Sequence, residues 1–284
     1  MRFKVPDSAR SIIQQALQRN ELHHAGLMFY RYLDGEDSRK HYDQLQEMIG
    51  RVQFITLGLY KERIHALCRE WTLQGQKSKQ VCFQARLVGR LAPGLGIPSV
   101  FENGISLHHI HGFPYIPGSS LKGIAQNYAL NVREVNKNSQ EFIAVFGKQT
   151  PQGKTGEIFE AQQGRAIFFD AIPLEIETEN LLTLDVMTPH YTDYYTNEGK
   201  KPPADYLDPK SPNPIIFLTV KEGVSFLFCI RARDLKSKES VVMKVEDVLC
   251  YAKDWLEGAL SALGAGAKTS VGYGYFQKFQ IHNP

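Results

Sequence analysis

"VEDVLCYAKDWLEGALSALGAGAKTSVGYGYFQKFQI", residues 245–281, changes its period twice. From Val245 through Val248, Leu249, Ala252, Trp255, Leu256, Ala259, Leu260 and Leu263 the apolar residues recur at helical spacing, and they predict a helix with one buried face. Glu246 and Asp247 stand at its positive end. Gly264 is a good residue to close it. After the glycines, "YGYFQKFQI" reads as a last strand. This order, helix then glycine loop then strand, decides what the loop can be. A phosphate-binding P-loop has the pattern G-x-x-x-x-G-K-[ST], follows a strand and opens a helix, so that free amides and the positive helix end face the phosphates. Here Ala267 precedes Lys268 and Thr269, and the order is reversed. An NTPase loop and a dinucleotide fingerprint are both excluded.

One helix cap needs one glycine, and this loop has Gly264, Gly266, Gly272 and Gly274, with Lys268, Thr269 and Ser270 between them. Two readings stand. The glycines serve tight turns alone, or they let backbone stay close to an extended phosphodiester, which lysine, hydroxyls and amides contact without reading sequence.

Working backwards, "VCFQARLVGRL" at 81–91 has period two. Val81, Phe83, Ala85, Leu87 and Leu91 point one way, and Gln84, Arg86, Val88 and Arg90 the other, so the strand has one buried and one basic face. "GSSLKGIAQNYALNV" at 118–132 predicts a helix capped by Ser119 or Ser120, with Leu121, Ile124, Ala125, Tyr128 and Val132 inward. Strands are expected at 164–176 and 181–188, and residues 214–233 read as a hairpin buried on both faces. The resulting order is that of an α+β fold: a ferredoxin-like (RRM-like) antiparallel β-α-β-β-α-β core with an added hairpin. In that fold the first and last strands are neighbours, which would set the two basic segments side by side.

Residues 1–75 read as a helical N-terminal extension. In "SARSIIQQALQR" at 8–19 a serine is the expected cap and Ile12, Ile13, Ala16 and Leu17 the stripe. Leu45, Ile49, Val52 and Leu59 mark a second helical stretch in 41–71. Residues 76–284 are the core domain, with a long loop at 92–118 and an insertion at 189–214. Loops of that length usually contact a partner or carry function.

The net charge of +3 is segregated. Residues 76–133 carry +5, residues 264–284 carry +2, and residues 156–208 carry −8. One part of the molecule therefore suits a polyanion. No run of ~18 apolar residues predicts a membrane span, and the N-terminus lacks the apolar core of a secretory signal. Cys68, Cys82, Cys229 and Cys250 have no short spacing. Reduced thiols and a cytoplasmic location are expected, with no metal and no cofactor.

"PGSSLKG" at 117–123 supplies the helix start that the glycine loop lacks. Lys122 in a first helical turn is unfavourable by ~0.3–1 kcal/mol, a cost that a bound anion would reverse. An ordinary serine cap with a solvated lysine is the plainer reading. His108, His109 and His111 cluster in the long loop, with only Glu102 near as a further ligand, so loop packing or RNA contact is favoured over a metal. Asp185, His190 and Asp193 could form an acid–base set for RNA cleavage, but no third residue is placed to activate a 2′-hydroxyl. Tyr191, Tyr194, Tyr195 and Tyr206 in the insertion could stack on bases or meet a protein.

"PYIPGSSLKG", "LDVMTPHYTDYY" and "GAGAKTSVGYG" together resemble the RAMP superfamily of CRISPR RNA-binding proteins, and within it most closely the family of the sixth subunit of the Cmr (type III-B) effector complex. The likeness runs from about residue 80 to the end. It implies a ferredoxin-like RNA-binding core and a non-catalytic role at the 3′ end of the guide RNA. It also implies packing against the repeated backbone subunit, small helical subunits and a sister RAMP subunit, with target RNA a further possible partner. On that reading Gly264, Gly266, Gly272 and Gly274 are the family's glycine-rich loop, with Lys268, Thr269 and Ser270 inside it. The RNA-binding set is then this loop with Ser119, Ser120, Lys122, Arg86, Arg90 and His190. Some relatives are metal-independent ribonucleases that use a histidine, and a CRISPR RNA-processing nuclease is the rival reading.

Overall fold

The computed structural model describes residues 3–19, 21, 24–34, 40–51, 59–60, 62, 72–73, 76–77, 79–148, 162–174, 181–188, 214–233 and 243–281. Among these, the helices are α1 (Asp7–Gln18), α2 (His41–Arg51), α3 (Gly118–Asn131), α4 (Gln140–Phe146) and α5 (Val245–Ala262). The main strands are β1 (Lys79–Leu87), β2 (Ala166–Phe168), β3 (Ile172–Pro173), β4 (Leu182–Met187), β5 (Ile215–Val220), β6 (Ser225–Ala232) and β7 (Phe276–Ile281). The expected insertion at 189–214, with His190, Asp193 and its four tyrosines, lies outside the described residues apart from Pro214, as do Val52 and Cys68.

The chain is a mixture of helices and antiparallel sheet. The larger sheet has the order β7-β1-β6-β2, with β3 also paired to β6. Every pairing in it is antiparallel. Phe83, Ala85 and Leu87 of β1 and Phe226 and Phe228 of β6 share a face and are buried. Helices α3 and α5 cover that face. Phe83 stacks on Phe228 with ring centroids 5.1 Å apart, and Phe276 meets Phe226 and Phe228 edge-on at 5.7 and 5.3 Å. Each such ring removed from water contributes about 1.5–3 kcal/mol. The predicted stripe of α5 is buried from Val245 to Leu260. Gly258 has no side chain because the Tyr128 ring of α3 fills that place. The alternation holds at the end of β1 and just beyond it, where Arg86, Val88 and Arg90 are exposed on the other side, whereas Cys82 on that side is buried.

Three expectations need correction. Residues 214–233 are not a hairpin. β5 pairs with β4, while β6 enters the larger sheet between β1 and β2. The turn at Lys221–Gly223 switches sheets, and Gly223 N–H donates to Leu87 O at 2.9 Å. Runs apolar on both faces supply no preference for one partner strand, so sequence periodicity cannot tell a hairpin from a crossing between sheets. Second, 164–176 is not one strand. It breaks between Phe168 and Ile172, where Asp170 turns towards α3. Third, the serine caps fail. α1 begins at Asp7, so Ser8 is inside it, and Ile12 is 67% exposed while Ile13 is buried.

The N-terminal segment packs on the long loop. A helical turn at Ala25–Leu27 continues as a π-helical turn, Met28–Tyr32. Phe29 stacks on Phe101 at 5.2 Å. The Tyr30 hydroxyl donates to Ile105 O at 2.6 Å and accepts from Ile105 N–H at 2.9 Å. α2 packs on β4. Backbone bridges Leu107–Pro114 and Ile116–Ala171 hold the rest of the loop.

Candidate nucleic-acid interface

The glycine loop is built on the end of β1. Gly264 N–H closes α5 on Ala259 O at 3.0 Å. Ala267 N–H then donates to Ala92 O at 2.9 Å, Gly274 N–H to Arg90 O at 2.8 Å, and Val88 N–H to Tyr275 O at 2.8 Å. The end of β1, with Arg86 and Arg90, therefore lies beside the glycine loop, as the strand order requires. Gly264, Gly266, Gly272 and Gly274 all have positive φ, at 74°, 81°, 99° and 75°. A side chain on Gly266 would come to 2.8 Å from Ala92 O, and one on Gly274 would run into Ala265 O. Three of the four glycines are thus needed because the chain approaches itself. Gly272 differs: nothing stands within 4 Å of a side chain placed there. The exposed tip is Ser270, Val271 and Gly272, on a short 3₁₀ turn, Thr269–Val271, that follows Lys268 in the left-handed region (φ 61°).

The ribbon of β4 and β5 stands beside this loop and is tied to it by one polar cluster. Arg90 Nη1 lies 2.6 Å from Asp185 Oδ2, and the Tyr273 hydroxyl donates to the same oxygen. Burial pushes the Asp185 carboxyl up, but the hydrogen bonds from Tyr273 and Arg90 outweigh it and hold Asp185 below its ordinary range. The hydrogen bond to Asp185 raises Arg90 further. Burial, then the hydrogen bond to Asp185, push Tyr273 up to about 12. Lys268 Nζ lies 5.8 Å from the centre of the Phe217 ring and 4.0 Å from Met187 Sδ. These are weak contacts, and no acidic side chain among the described residues pairs with it.

The site residues divide accordingly. Arg86 is exposed at the end of β1, with its guanidinium over Gly223. Arg90 is beside the loop, but Asp185 already balances its charge. Ser119 and Ser120 are exposed and do not cap α3. The cap position is Pro117, without a side-chain bond. Gly118 N–H instead donates to Asp170 Oδ1 at 2.7 Å, so a carboxylate from the β2–β3 break already sits at the helix start. The start of α3 abuts Phe168 O at the β2–β3 edge of the sheet. The glycine loop belongs to the β7 edge, with β1 and β6 between, about 14 Å of strand spacings. No hydrogen bond or ion pair among the described residues joins Ser119, Ser120 or Lys122 to the loop. The pieces that sequence reasoning missed are Asp170 and Tyr273. A lone carboxylate inside the apolar run "AIFFDAI" was the available signal for Asp170.

His108 and His111 pack against Tyr60 and Phe113, while His109 is exposed. The His108 ring stands 5.1 Å from Tyr60 and Phe113 and 4.9 Å from His111. Its Nδ1 accepts from the N–H groups of Ile110 and His111 at 3.3 Å. Burial, then the nearby His111 and His109, lower its pKa. No group of three or more metal-ligating side chains stands together among the described residues. Nor is any described helix long and apolar enough to cross a membrane.

A model of the RAMP superfamily matches residues 84–277, from β1 into β7. The CRISPR system Cmr subunit Cmr6 of Pyrococcus furiosus is 35% identical over 231 residues, covering 65% of this chain and 64% of that protein. The Saccharolobus solfataricus subunit Cmr6 is 28% identical over 250 residues, covering 88% of this chain and 67% of that one. The chain thus spans just under two thirds of the length of the Pyrococcus relative. Among solved structures, a chain in a cryo-EM structure of type III-B Cmr-beta bound to cognate target RNA is similar, with TM-score 0.53 and 27% identity, covering 97% of this chain and 75% of that one.

Proposed function

The chain belongs to the RAMP superfamily, and from that premise we propose that it is a non-catalytic, RNA-binding subunit of a type III-B Cmr effector complex, acting in the cytoplasm. It holds guide RNA near the 3′ end and packs on the repeated backbone subunit, on small helical subunits and on a sister RAMP subunit. We read the larger sheet as the ferredoxin-like core; the order β7-β1-β6-β2 with α3 and α5 on one face supports that reading. One observation carries the proposal. The exposed tip Ser270–Gly272 is shaped by backbone hydrogen bonds to Lys268 and Thr269 and stands next to the basic end of β1. A pre-shaped backbone beside positive charge fits a sugar-phosphate strand and demands no base sequence.

The same geometry orders the basic residues. Lys268 and Arg86 are available to phosphates, whereas Arg90 is held by Asp185. Observed affinity for single-stranded guide RNA should fall with salt, and each lost phosphate contact should lower the log–log slope by about 0.7. Lys268→Ala and Arg86→Ala should each show that loss, and Arg90→Ala should leave the slope near its wild-type value. Unchanged slopes for Lys268→Ala and Arg86→Ala would refute the interface. Incubation with RNA in EDTA should give no cleavage; Asp185, one member of the imagined acid–base set, is engaged by Arg90 and Tyr273.

A further inference from the structure

We propose that Cys82 and Cys229 are a redox modification site, a dithiol that closes reversibly to a cross-strand disulfide between β1 and β6. The two residues are directly opposite in the antiparallel register. Their side chains therefore share the face turned away from Phe83 and Phe228. Cys229 O accepts from Phe169 N–H at 3.1 Å, and Ser225 O accepts from Leu174 N–H at 2.8 Å. In an antiparallel strand the N–H and C=O of one residue point to the same side. Cys229 thus spends its backbone groups on the β2–β3 side, and relative to β1 it forms a non-hydrogen-bonded pair with Cys82. Such pairs bring the Cα atoms to about 4.5 Å, with side chains closer than in the alternate pairs. Disulfides need Cα separations of about 4.4–6.8 Å. The pair is within reach without backbone movement, at the short end of that range.

Neither cysteine is in a disulfide, and they are 6% and 5% exposed. A small oxidant is therefore required, and a peroxide is the class that fits. One thiolate attacks a peroxide oxygen, giving a sulfenic acid and releasing hydroxide, which takes up a proton as water. The facing thiol then displaces the sulfenic oxygen as a second water and forms the S–S bond. Two thiols are oxidised by two electrons and one hydrogen peroxide is reduced to two waters. Because the two side chains stand at paired positions on one face, the second step has its partner in place, whereas Cys250 is exposed on α5 and no other described cysteine is paired with it.

The test uses the whole folded protein and hydrogen peroxide, followed by alkylation in denaturant and peptide mapping. The chain has four cysteines. We expect peptides carrying Cys82 and Cys229 to be found linked, with the loss of two alkylatable thiols and full recovery on adding dithiothreitol. Cys250→Ser should leave the link intact, and Cys82→Ser or Cys229→Ser should abolish it. The mapping of wild-type protein stands even if a buried serine impairs folding. The proposal is overturned if Cys250 is oxidised while Cys82 and Cys229 stay alkylatable, or if either of them links instead to Cys68.

Discussion

Replacing Asp185 by alanine removes the carboxylate that joins the β4–β5 ribbon to Tyr273 of the glycine loop and to Arg90 beside it. Asp185 Oδ2 accepts from both Arg90 and Tyr273. The Asp185 side chain is 19% exposed, so its hydrogen bond with Tyr273 lies in a partly dry place, where a bond to a charged acceptor is worth about 1.5–3 kcal/mol. Arg90 is 42% exposed and can recover water, so its share is discounted to about 0–1 kcal/mol. Asp185→Ala should therefore cost about 1.5–4 kcal/mol, read from urea unfolding midpoints at an unchanged m-value. Tyr273→Phe removes the hydroxyl alone and should cost about 1.5–3 kcal/mol. The double mutant should cost clearly less than the sum, because both singles break the same bond. Phenolate absorbance gives an independent check. Tyr273 ionises near 12 beside Asp185 and should return towards 10.0 in Asp185→Ala. Since its pKa is raised by folding, its contribution is complete at neutral pH and is lost only as pH climbs from 10.0 through about 12. A cost for Asp185→Ala below about 0.5 kcal/mol, the range of ordinary surface changes, would refute the idea that this cluster ties ribbon to loop.

Other outcomes follow from the same contacts. Gly274→Ala should unfold or misfold the loop, because a side chain there meets Ala265 O and φ is 75°, whereas Gly272→Ala, with open space around it, should cost only the ~1–2 kcal/mol of a left-handed residue; equal melting temperatures for the two would contradict this. Asp170→Ala should destabilise by about 1 kcal/mol through loss of the acceptor at the start of α3, and denaturant unfolding measures it. His108 has its pKa lowered on folding, so stability should drop as pH falls through its ordinary value of 6.5 towards the folded one. His108→Asn keeps an acceptor for the Ile110 and His111 N–H groups and should flatten that part of the stability–pH curve.

Much of this protein was legible before any coordinates. The stripe from Val245 to Leu260 and the alternation from Val81 to Arg90 are local repeats, and a repeat of 3.6 or 2 residues is written wherever one face must be dry. Hence α5, β1, β7 and the closeness of the end of β1 to the glycine loop could all be read. The glycine count in 264–274 was readable as a demand for unusual backbone. Only the tertiary structure decided what that demand serves: Tyr273, Ala92 and Ala265 crowd Gly264, Gly266 and Gly274, and of the four only Gly272 opens outward. Only it decided that β5 leaves β6 for β4, that Asp170 rather than a serine ends on the α3 amides, and that Asp185 neutralises Arg90. Each of these joins residues tens of positions apart in the chain, through hydrogen bonds and charges that have no period. A sequence states which faces avoid water, because that depends on each residue and its near neighbours. Which polar group answers which across the fold depends on where the packed elements bring them, and that is fixed only when the core closes.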